Sequence, residues 1–375
     1  MTFLDPGLVE EHFRYISDPI RMGAYTRAIE NVVRPGDRVL DLGAGTGILG
    51  LLACRAGARR VYAIDEGRMI ELAREEFRAN GFEDRAVFLR GHSQRVTLPE
   101  PVDVVMADQI GTFGIDAALV ECFADARARF LAPGGRMVPE RLDLFAAPVE
   151  SEAAWEKIGF WERSPLGFDF SPARRAAAHA VQPLRFRREE LLADPFLVRS
   201  IALGEPPTSL ALEASFASAR RGTLHGFAGW FRAQLAPGVV LTNAPGAADA
   251  MDRRSAFFPI GEAVPVEAGT EIRVAWQLRL PDVASWTCHV GGRRFSQTNL
   301  LALPLGTDEV RKQDPAHRPR LSPRGEARKL ALELCDGRRA LSEIEDELLR
   351  RHGSVLGARE EAAAFLAALV ERDCD

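Results

Sequence analysis

Between Arg38 and Pro139 the chain alternates short β-branched apolar runs with amphipathic helical segments. Such alternation predicts βαβ units around a parallel sheet, and therefore an α/β, Rossmann-like domain. The segment APGGR at 132–136, with its proline and two glycines, predicts a tight turn before one further strand. The predicted strands are RVLDL, RVYAI, AVFLR and VDVVMA, and the predicted helices are GILGLLACRA, MIELAREEFRAN and ALVECFADARARF.

The pattern changes after about Val149. Residues 151–182 are helical and rich in aromatic side chains, whereas residues 183–305 give short strands separated by Gly/Pro turns, which predicts an antiparallel barrel or sandwich. The segment RKQDPAHRPRLSP predicts a linker, and three amphipathic helices follow it, near 324–334, 341–352 and 358–371. The predicted domains are therefore a Rossmann-like domain (1–146), a β-barrel (147–310), a linker (311–323) and a small helical domain (324–375).

Composition narrows the class of protein. The 375 residues carry a net charge of −5, which argues against a broad nucleic-acid surface. No run of 18 apolar residues predicts a membrane span, and the start of the chain does not have the pattern of a signal peptide. The 5 cysteines include no CxxC pair, so we expect reduced thiols in a cytoplasmic protein, with no metal site.

The segment VLDLGAGTGILG (39–50) predicts a strand, a glycine turn and a helix start that expose backbone amides to a ligand. The dinucleotide fingerprint G-x-G-x-x-G would need its third glycine at Ile48, which disfavours a nicotinamide cofactor. Asp65 ends the next strand, where a carboxylate can accept hydrogen bonds from both ribose hydroxyls. The set predicts an S-adenosylmethionine site, with S-adenosylhomocysteine as the product.

From His12 to Leu305 the sequence resembles the protein arginine methyltransferases, through HFRYISDPIRMGAY (12–25), the glycine turn and GHSQRVTLPEPVDVV (91–105). The resemblance implies that His12 lies near the ribose, that Arg21 binds the methionine carboxylate and that Gln94 accepts a hydrogen bond from the adenine amine. The resulting candidate cofactor-binding residues are His12, Arg21, Asp41, Gly43, Gly45, Gly47, Asp65, Ser93, Gln94 and Asp108.

The substrate loops depart from this family. Asp108 stands at the first of the two glutamate positions that grip a guanidinium, and Ala117 stands at the second, with Asp116 one place early. Met251, Asp252 and Arg253 replace the family's Thr-His-Trp loop. The predicted catalytic residues are Asp108, Asp116 and Asp252. Because a neutral imidazole needs only one orienting carboxylate, histidine is the preferred acceptor, and arginine stays open.

Two further segments concern partners. KIGFWERSPLGFDF, within 151–182, is similar to the family's dimerisation arm and implies a homodimer, although packing on its own barrel is the alternative. Residues 330–353 resemble the helical part of PqqD-like domains, which hold the leader of a ribosomally made precursor peptide. The alternative is a plain three-helix module. The sequence thus predicts a peptide methyltransferase, with a small-molecule N- or O-methyltransferase and a catalytically silent peptide-binding homologue as alternatives.

Overall fold

The computed structural model describes residues 7–205, 209–280, 282–303, 306, 311–312 and 315–374, and the chain divides into two compact units, 1–304 and 305–375. The first six residues, used above in the argument against a signal peptide, lie outside the described residues. So do parts of the predicted barrel end and of the predicted linker. Within the described part of the chain, no helix is both long and apolar enough to cross a membrane.

Five parallel strands form the first sheet in the order β3-β2-β1-β4-β5, which confirms the predicted Rossmann-like domain. Leu42 pairs with Ile64 on one side and with Ala107 on the other, so the carboxyl ends of three neighbouring strands meet at one edge. In an open α/β sheet this edge is where ligands bind. The strands are β1 (Arg38–Leu42), β2 (Arg60–Asp65), β3 (Ala86–Arg90), β4 (Val102–Ala107) and β5 (Leu131–Val138), and the helices are α1 (Gly7–Ile16), α2 (Pro19–Val32), α3 (Ile48–Arg55), α4 (Met69–Ala79) and α5 (Leu119–Arg129).

The predicted tight turn at 132–136 is wrong, because strand β5 runs through it. Val102 pairs with Leu131 and Val104 with Arg136, so β5 carries extra residues opposite a short piece of β4. Gly134 has a φ of 75°, a left-handed value that suits glycine. The glycines therefore form a bulge inside an edge strand.

Antiparallel sheets follow, as predicted, in the orders β7-β12-β10-β6-β8 and β15-β14-β13-β9, with β11 pairing β10. Phe227, Phe258, Trp276 and Trp286 meet edge to face in their core, with ring centroids 5.5 to 6.0 Å apart. The prediction of short strands is wrong for β10 and β12, which have 15 and 12 residues. The strands are β6 (Arg141–Val149), β7 (Gln182–Leu184), β8 (Phe196–Ala202), β9 (Ser209–Ala217), β10 (Gly222–Ala236), β11 (Val239–Thr242), β12 (Ser255–Val266), β13 (Glu271–Arg279), β14 (Val283–Val290) and β15 (Arg293–Thr298).

The aromatic segment 151–182 contains α6 (Glu152–Gly159) and α7 (Ser171–Ala177). Trp155 stacks on His225 at 5.2 Å and packs against the barrel, so this ring belongs to an intramolecular core. Other apolar side chains of the segment are exposed, by 41% for Phe160, 93% for Leu166 and 66% for Phe168. Trp155 thus packs on its own barrel, whereas Phe160, Leu166 and Phe168 lie at the surface.

In the second unit the structure describes the helices α8 (Pro323–Leu334), α9 (Leu341–Leu356) and α10 (Arg359–Asp373). Their apolar faces bury Leu330, Ile344 and Leu366 in a core of their own. Helix α9 begins at Leu341, as predicted, and the carboxylate of Glu343 accepts from the backbone N–H of Ala340 at 2.7 Å.

Candidate active site

A cavity of about 310 Å³ opens at the carboxyl ends of β1, β2 and β4. Asp18 caps the first turn of α2, where its Oδ1 accepts from the backbone N–H groups of Ile20 and Arg21 at 3.0 and 3.1 Å. Its Oδ2 accepts from the backbone N–H of Asp252 at 2.7 Å, which ties α2 to the barrel. One aspartate therefore fixes both the start of α2 and the barrel loop over the cavity.

Arg21 and Asp108 form an ion pair in this cavity, in which Arg21 is buried and the Asp108 side chain is 18% exposed. The Arg21 side chain is only 3% exposed, and its Nε and Nη2 donate to Oδ2 of Asp108. Its guanidinium also lies 4.0 Å from the ring centroid of Tyr15. Burial raises the pKa of Asp108, while the neighbouring Arg21 acts in the opposite direction. We infer that Arg21 holds this carboxylate in a single orientation.

Three buried oxygens around the cavity have no hydrogen-bond partner among the described residues: Oδ1 of Asp41, Oγ1 of Thr46 and Oδ1 of Asp108. Buried polar atoms are nearly always satisfied, so unpaired ones facing one cavity indicate a polar ligand. Glycines leave the space that such a ligand and its neighbours need. A Cβ on Gly45, for example, would lie 2.2 Å from Cε1 of His12.

Asp65 is fixed at the end of β2. Its Oδ2 accepts from the backbone N–H of Gly45 at 2.9 Å, and its Oδ1 accepts from that of Gly67 at 2.7 Å. His12 and Gly43 lie at the same cavity, and Gly47, with a φ of 76°, precedes α3. These residues and the unpaired oxygens fit a ligand with hydroxyl and ammonium donors, as S-adenosylmethionine has.

Burial raises the pKa of Asp41 to about 7, although the backbone N–H of Gly50 donates to its Oδ2 at 2.9 Å. The folded protein then binds this proton more tightly than the unfolded chain, so the free energy of unfolding should fall as pH rises from about 4 to about 7. The contribution of one group cannot exceed about 1.4 kcal/mol per pH unit. Urea unfolding at several pH values checks this: Asp41→Asn should flatten that part of the profile. Exposed Asp84→Asn should leave it unchanged, and an unaltered slope in Asp41→Asn would contradict the assignment.

The structure does not bring every predicted residue to this cavity. Ser93 and Gln94 follow β3, where Ser93 Oγ contacts Cys122 Sγ at 3.7 Å and Gln94 is exposed, and neither lines the cavity. Asp252 contributes its backbone N–H, whereas its carboxylate is 67% exposed and pairs with Arg185. The carboxylate of Asp252 therefore does not line the cavity.

Asp116 also turns away from Asp108. Both of its oxygens are used within its own loop, by the backbone N–H and hydroxyl of Thr112, at 2.9 and 2.7 Å, and by the backbone N–H of Phe113 at 2.8 Å. It lines a different, mostly apolar cavity, while Ala117 faces the one that holds Asp108. Asp116, one of the predicted catalytic residues, therefore forms no acidic pair with Asp108.

Sequence reasoning missed other residues that line the cavity. Arg253 lies 5.7 Å from the Tyr15 ring centroid, so two arginines approach Asp108 from different elements. Glu11 accepts from the Tyr15 hydroxyl, and Gln109 follows Asp108 against Gly43. Tyr15 and Arg253 lie inside segments that the sequence analysis quotes, but their approach depends on the fold of the 237 residues between them.

Residues 25–139 match the family Ribosomal protein L11 methyltransferase (PrmA), and residues 140–283 match the Arginine methyltransferase oligomerization subdomain. The chain is 32% identical over 231 residues to a probable protein arginine N-methyltransferase 6 of Arabidopsis thaliana, covering 59% of this chain and 53% of that protein. It is 29% identical over 280 residues to protein arginine N-methyltransferase 6 of Xenopus tropicalis, covering 70% of this chain and 82% of that protein.

Two solved structures share the fold at 21% identity. The Trypanosoma brucei PRMT1 enzyme–prozyme heterotetrameric complex with AdoHcy has a TM-score of 0.70, covering 77% of this chain and 96% of that one. Arabidopsis thaliana protein arginine methyltransferase 10, in an open conformation, has a TM-score of 0.68, covering 78% of this chain and 98% of that one.

Proposed function

We propose that this chain, an S-adenosylmethionine-dependent methyltransferase, methylates a side-chain nitrogen of a peptide, with histidine imidazole as the preferred acceptor. The charge around Asp108 is the observation that carries this preference. Arg21 already occupies one oxygen of Asp108, Arg253 adds a second cation at the cavity, and Ala117 offers no carboxylate. A guanidinium acceptor would enter as a third cation, whereas a neutral imidazole would not.

Arginine is the second candidate acceptor. The relatives are named as arginine methyltransferases, and Glu11 adds a carboxylate to the same cavity. Its oxygen accepts from Tyr15, which leaves it partly engaged. Glu11 and Asp108 are therefore the pair that an arginine substrate would use.

The residues suggest how the reaction is organised. When bound, S-adenosylmethionine supplies an electrophilic methyl group. Asp65, Arg21 and the glycine turn would hold it, and the unpaired Oδ1 of Asp108 would accept the N–H of the acceptor ring. This hydrogen bond orients the lone pair of the other ring nitrogen and stabilises the charge that develops on the ring.

The C-terminal helices bear on the choice between peptide and small-molecule substrates. We propose that residues 324–375 act as a PqqD-like module that binds the leader of a precursor peptide. Removing 323–375 should then abolish methylation of a leader-containing peptide by the intact S-adenosylmethionine site, as measured by the mass of the product. Undiminished methylation by the truncated enzyme would favour a purely structural role, and donor binding without turnover on any peptide would favour a silent homologue.

We also propose a homodimer through 151–182, since Phe160, Leu166 and Phe168 expose more apolar surface than a monomer usually leaves bare. Replacing Leu166 and Phe168 by Glu should turn the dimer into a monomer in light scattering at micromolar concentration. Leu300→Glu, at another exposed leucine, is the matched control and should stay dimeric. A monomeric wild-type enzyme with full activity would contradict the proposal.

A further inference from the structure

Another cavity, of about 740 Å³ and thus larger than the cavity that holds Asp108, lies at the opposite end of the first sheet. Leu131, on its wall, pairs with Val102, the first residue of β4, whereas Asp108 follows the last residue of the same strand. Helix α2 links the two places, since Arg21 lies in its first turn and Val32 ends it. At 1.5 Å per residue these two residues are about 16 Å apart along the helix axis.

The residues that line this cavity carry a net positive charge, whereas the whole chain has a net charge of −5. Its lining includes three arginines and, as its acid, Glu140. Arg136 is already used, because its Nη1 caps the end of α2 at the Val32 carbonyl and its Nη2 pairs with Asp37 at 2.8 Å. Arg34 and Arg127 have no carboxylate partner among the described residues, so their charges remain available to a ligand.

Arg127 is an exposed residue whose stem packs against Gly204. A Cβ added to Gly204 would lie only 2.5 Å from Cδ of Arg127, so the stem of this side chain occupies the space that the glycine leaves. The guanidinium of Arg127 therefore extends from a stem that contacts the neighbouring loop. This reduces the conformational entropy that an anionic ligand would have to remove on binding.

The cavity also has an apolar surface and a strand edge. Val32, Met137, Leu203 and Pro237 contribute the apolar part, and β5 is the edge strand of its sheet. Past the bulge, β5 pairs regularly at Met137 and Val138, and a regular edge strand offers backbone N–H and C=O groups to an added extended chain. In such a chain alternate side chains point to opposite sides, so acidic residues and apolar residues can each find a matching surface.

We propose that this cavity is a docking site for an acidic, extended segment of a polypeptide, separate from the donor cavity. Charge complementarity with Arg34 and Arg127, the apolar surface and the strand edge together favour this occupant. The site does not depend on which residue accepts the methyl group. A docking segment at this distance would add affinity for a protein partner without entering the active site.

Fluorescence anisotropy of the full-length enzyme with labelled ten-residue peptides tests the proposal. A peptide that alternates Glu with Leu should bind, and one that alternates Lys with Leu should bind at least tenfold more weakly. Arg34→Glu combined with Arg127→Glu should weaken binding of the acidic peptide at least tenfold. Raising the salt concentration should also weaken it, because the contacts are between charges.

Arg279→Glu combined with Arg294→Glu is the matched control, since it makes the same charge change at exposed positions of another sheet. It should leave the affinity within twofold of the wild type. The single variants Arg34→Gln and Arg127→Gln, each expected to weaken binding about threefold, serve if the double variant fails to fold. Equal binding of both peptides, equal loss in the control, or displacement of the acidic peptide by millimolar inorganic phosphate would overturn the proposal.

Discussion

Asp108→Asn should lower kcat by about 10²–10³-fold, the usual cost of removing one preorganised electrostatic group. The amide keeps the shape of the side chain but loses the negative charge that stabilises the methylated, positively charged acceptor. Arg21 holds Oδ2 of Asp108, so the other oxygen is the atom left for the acceptor. Single-turnover kinetics with saturating donor separate this loss from weaker cofactor binding.

Asp116→Asn is the informative control for Asp108. Because Asp116 uses both oxygens within its own loop, its replacement should affect turnover far less than the replacement of Asp108. An equal loss of kcat in the two variants would mean that the loop rearranges to form an acidic pair. Unchanged turnover in Asp108→Asn would remove this carboxylate from the mechanism.

Arg21→Met should destabilise the fold by about 3–5 kcal/mol, because it leaves the buried carboxylate of Asp108 without its cationic partner. It should also weaken S-adenosylmethionine binding, since the cavity loses a cation that the methionine carboxylate would contact. Urea unfolding measures the first effect and titration calorimetry measures the second.

Two further variants show whether the loss of stability in Arg21→Met comes from burial of the ion pair. The double variant Arg21→Met with Asp108→Leu should recover most of the lost stability, because it removes both charges, but it should remain inactive. Arg14→Met breaks an exposed pair with Glu10 and should cost less than about 1 kcal/mol. A cost for Arg21→Met as small as that for Arg14→Met would contradict the inferred buried pair.

The parallel sheet and the glycine turn were predictable because their signals are local. Each strand is a short apolar run, and the turn that places Asp65 beside Gly45 follows from two neighbouring strands of one sheet. The family resemblance assigned Arg21 to the methionine carboxylate, but its pairing with Asp108 was not predicted, since spacing on a helix says nothing about a partner 87 residues away.

The rest of the site depends on long-range packing. Arg253 reaches the cavity because Asp18 anchors the backbone of Asp252, a contact across 234 residues. Asp116 has the right charge and nearly the right position in the sequence, but its own loop consumes both oxygens. The bulge in β5 was mistaken for a turn because glycines serve both structures.

The identity of the methylated atom tests the central claim most directly. The enzyme should be incubated with a donor that carries a deuterated methyl group and with a peptide library. Each peptide in the library carries a single His or a single Arg in the same flanking sequence. The products should then be fragmented by tandem mass spectrometry. The proposed function predicts the label on imidazole nitrogen, with His peptides modified in preference to their Arg counterparts. Label on guanidinium nitrogen, at equal or higher yield, would contradict the claim and make Glu11 and Asp108 the pair that binds arginine.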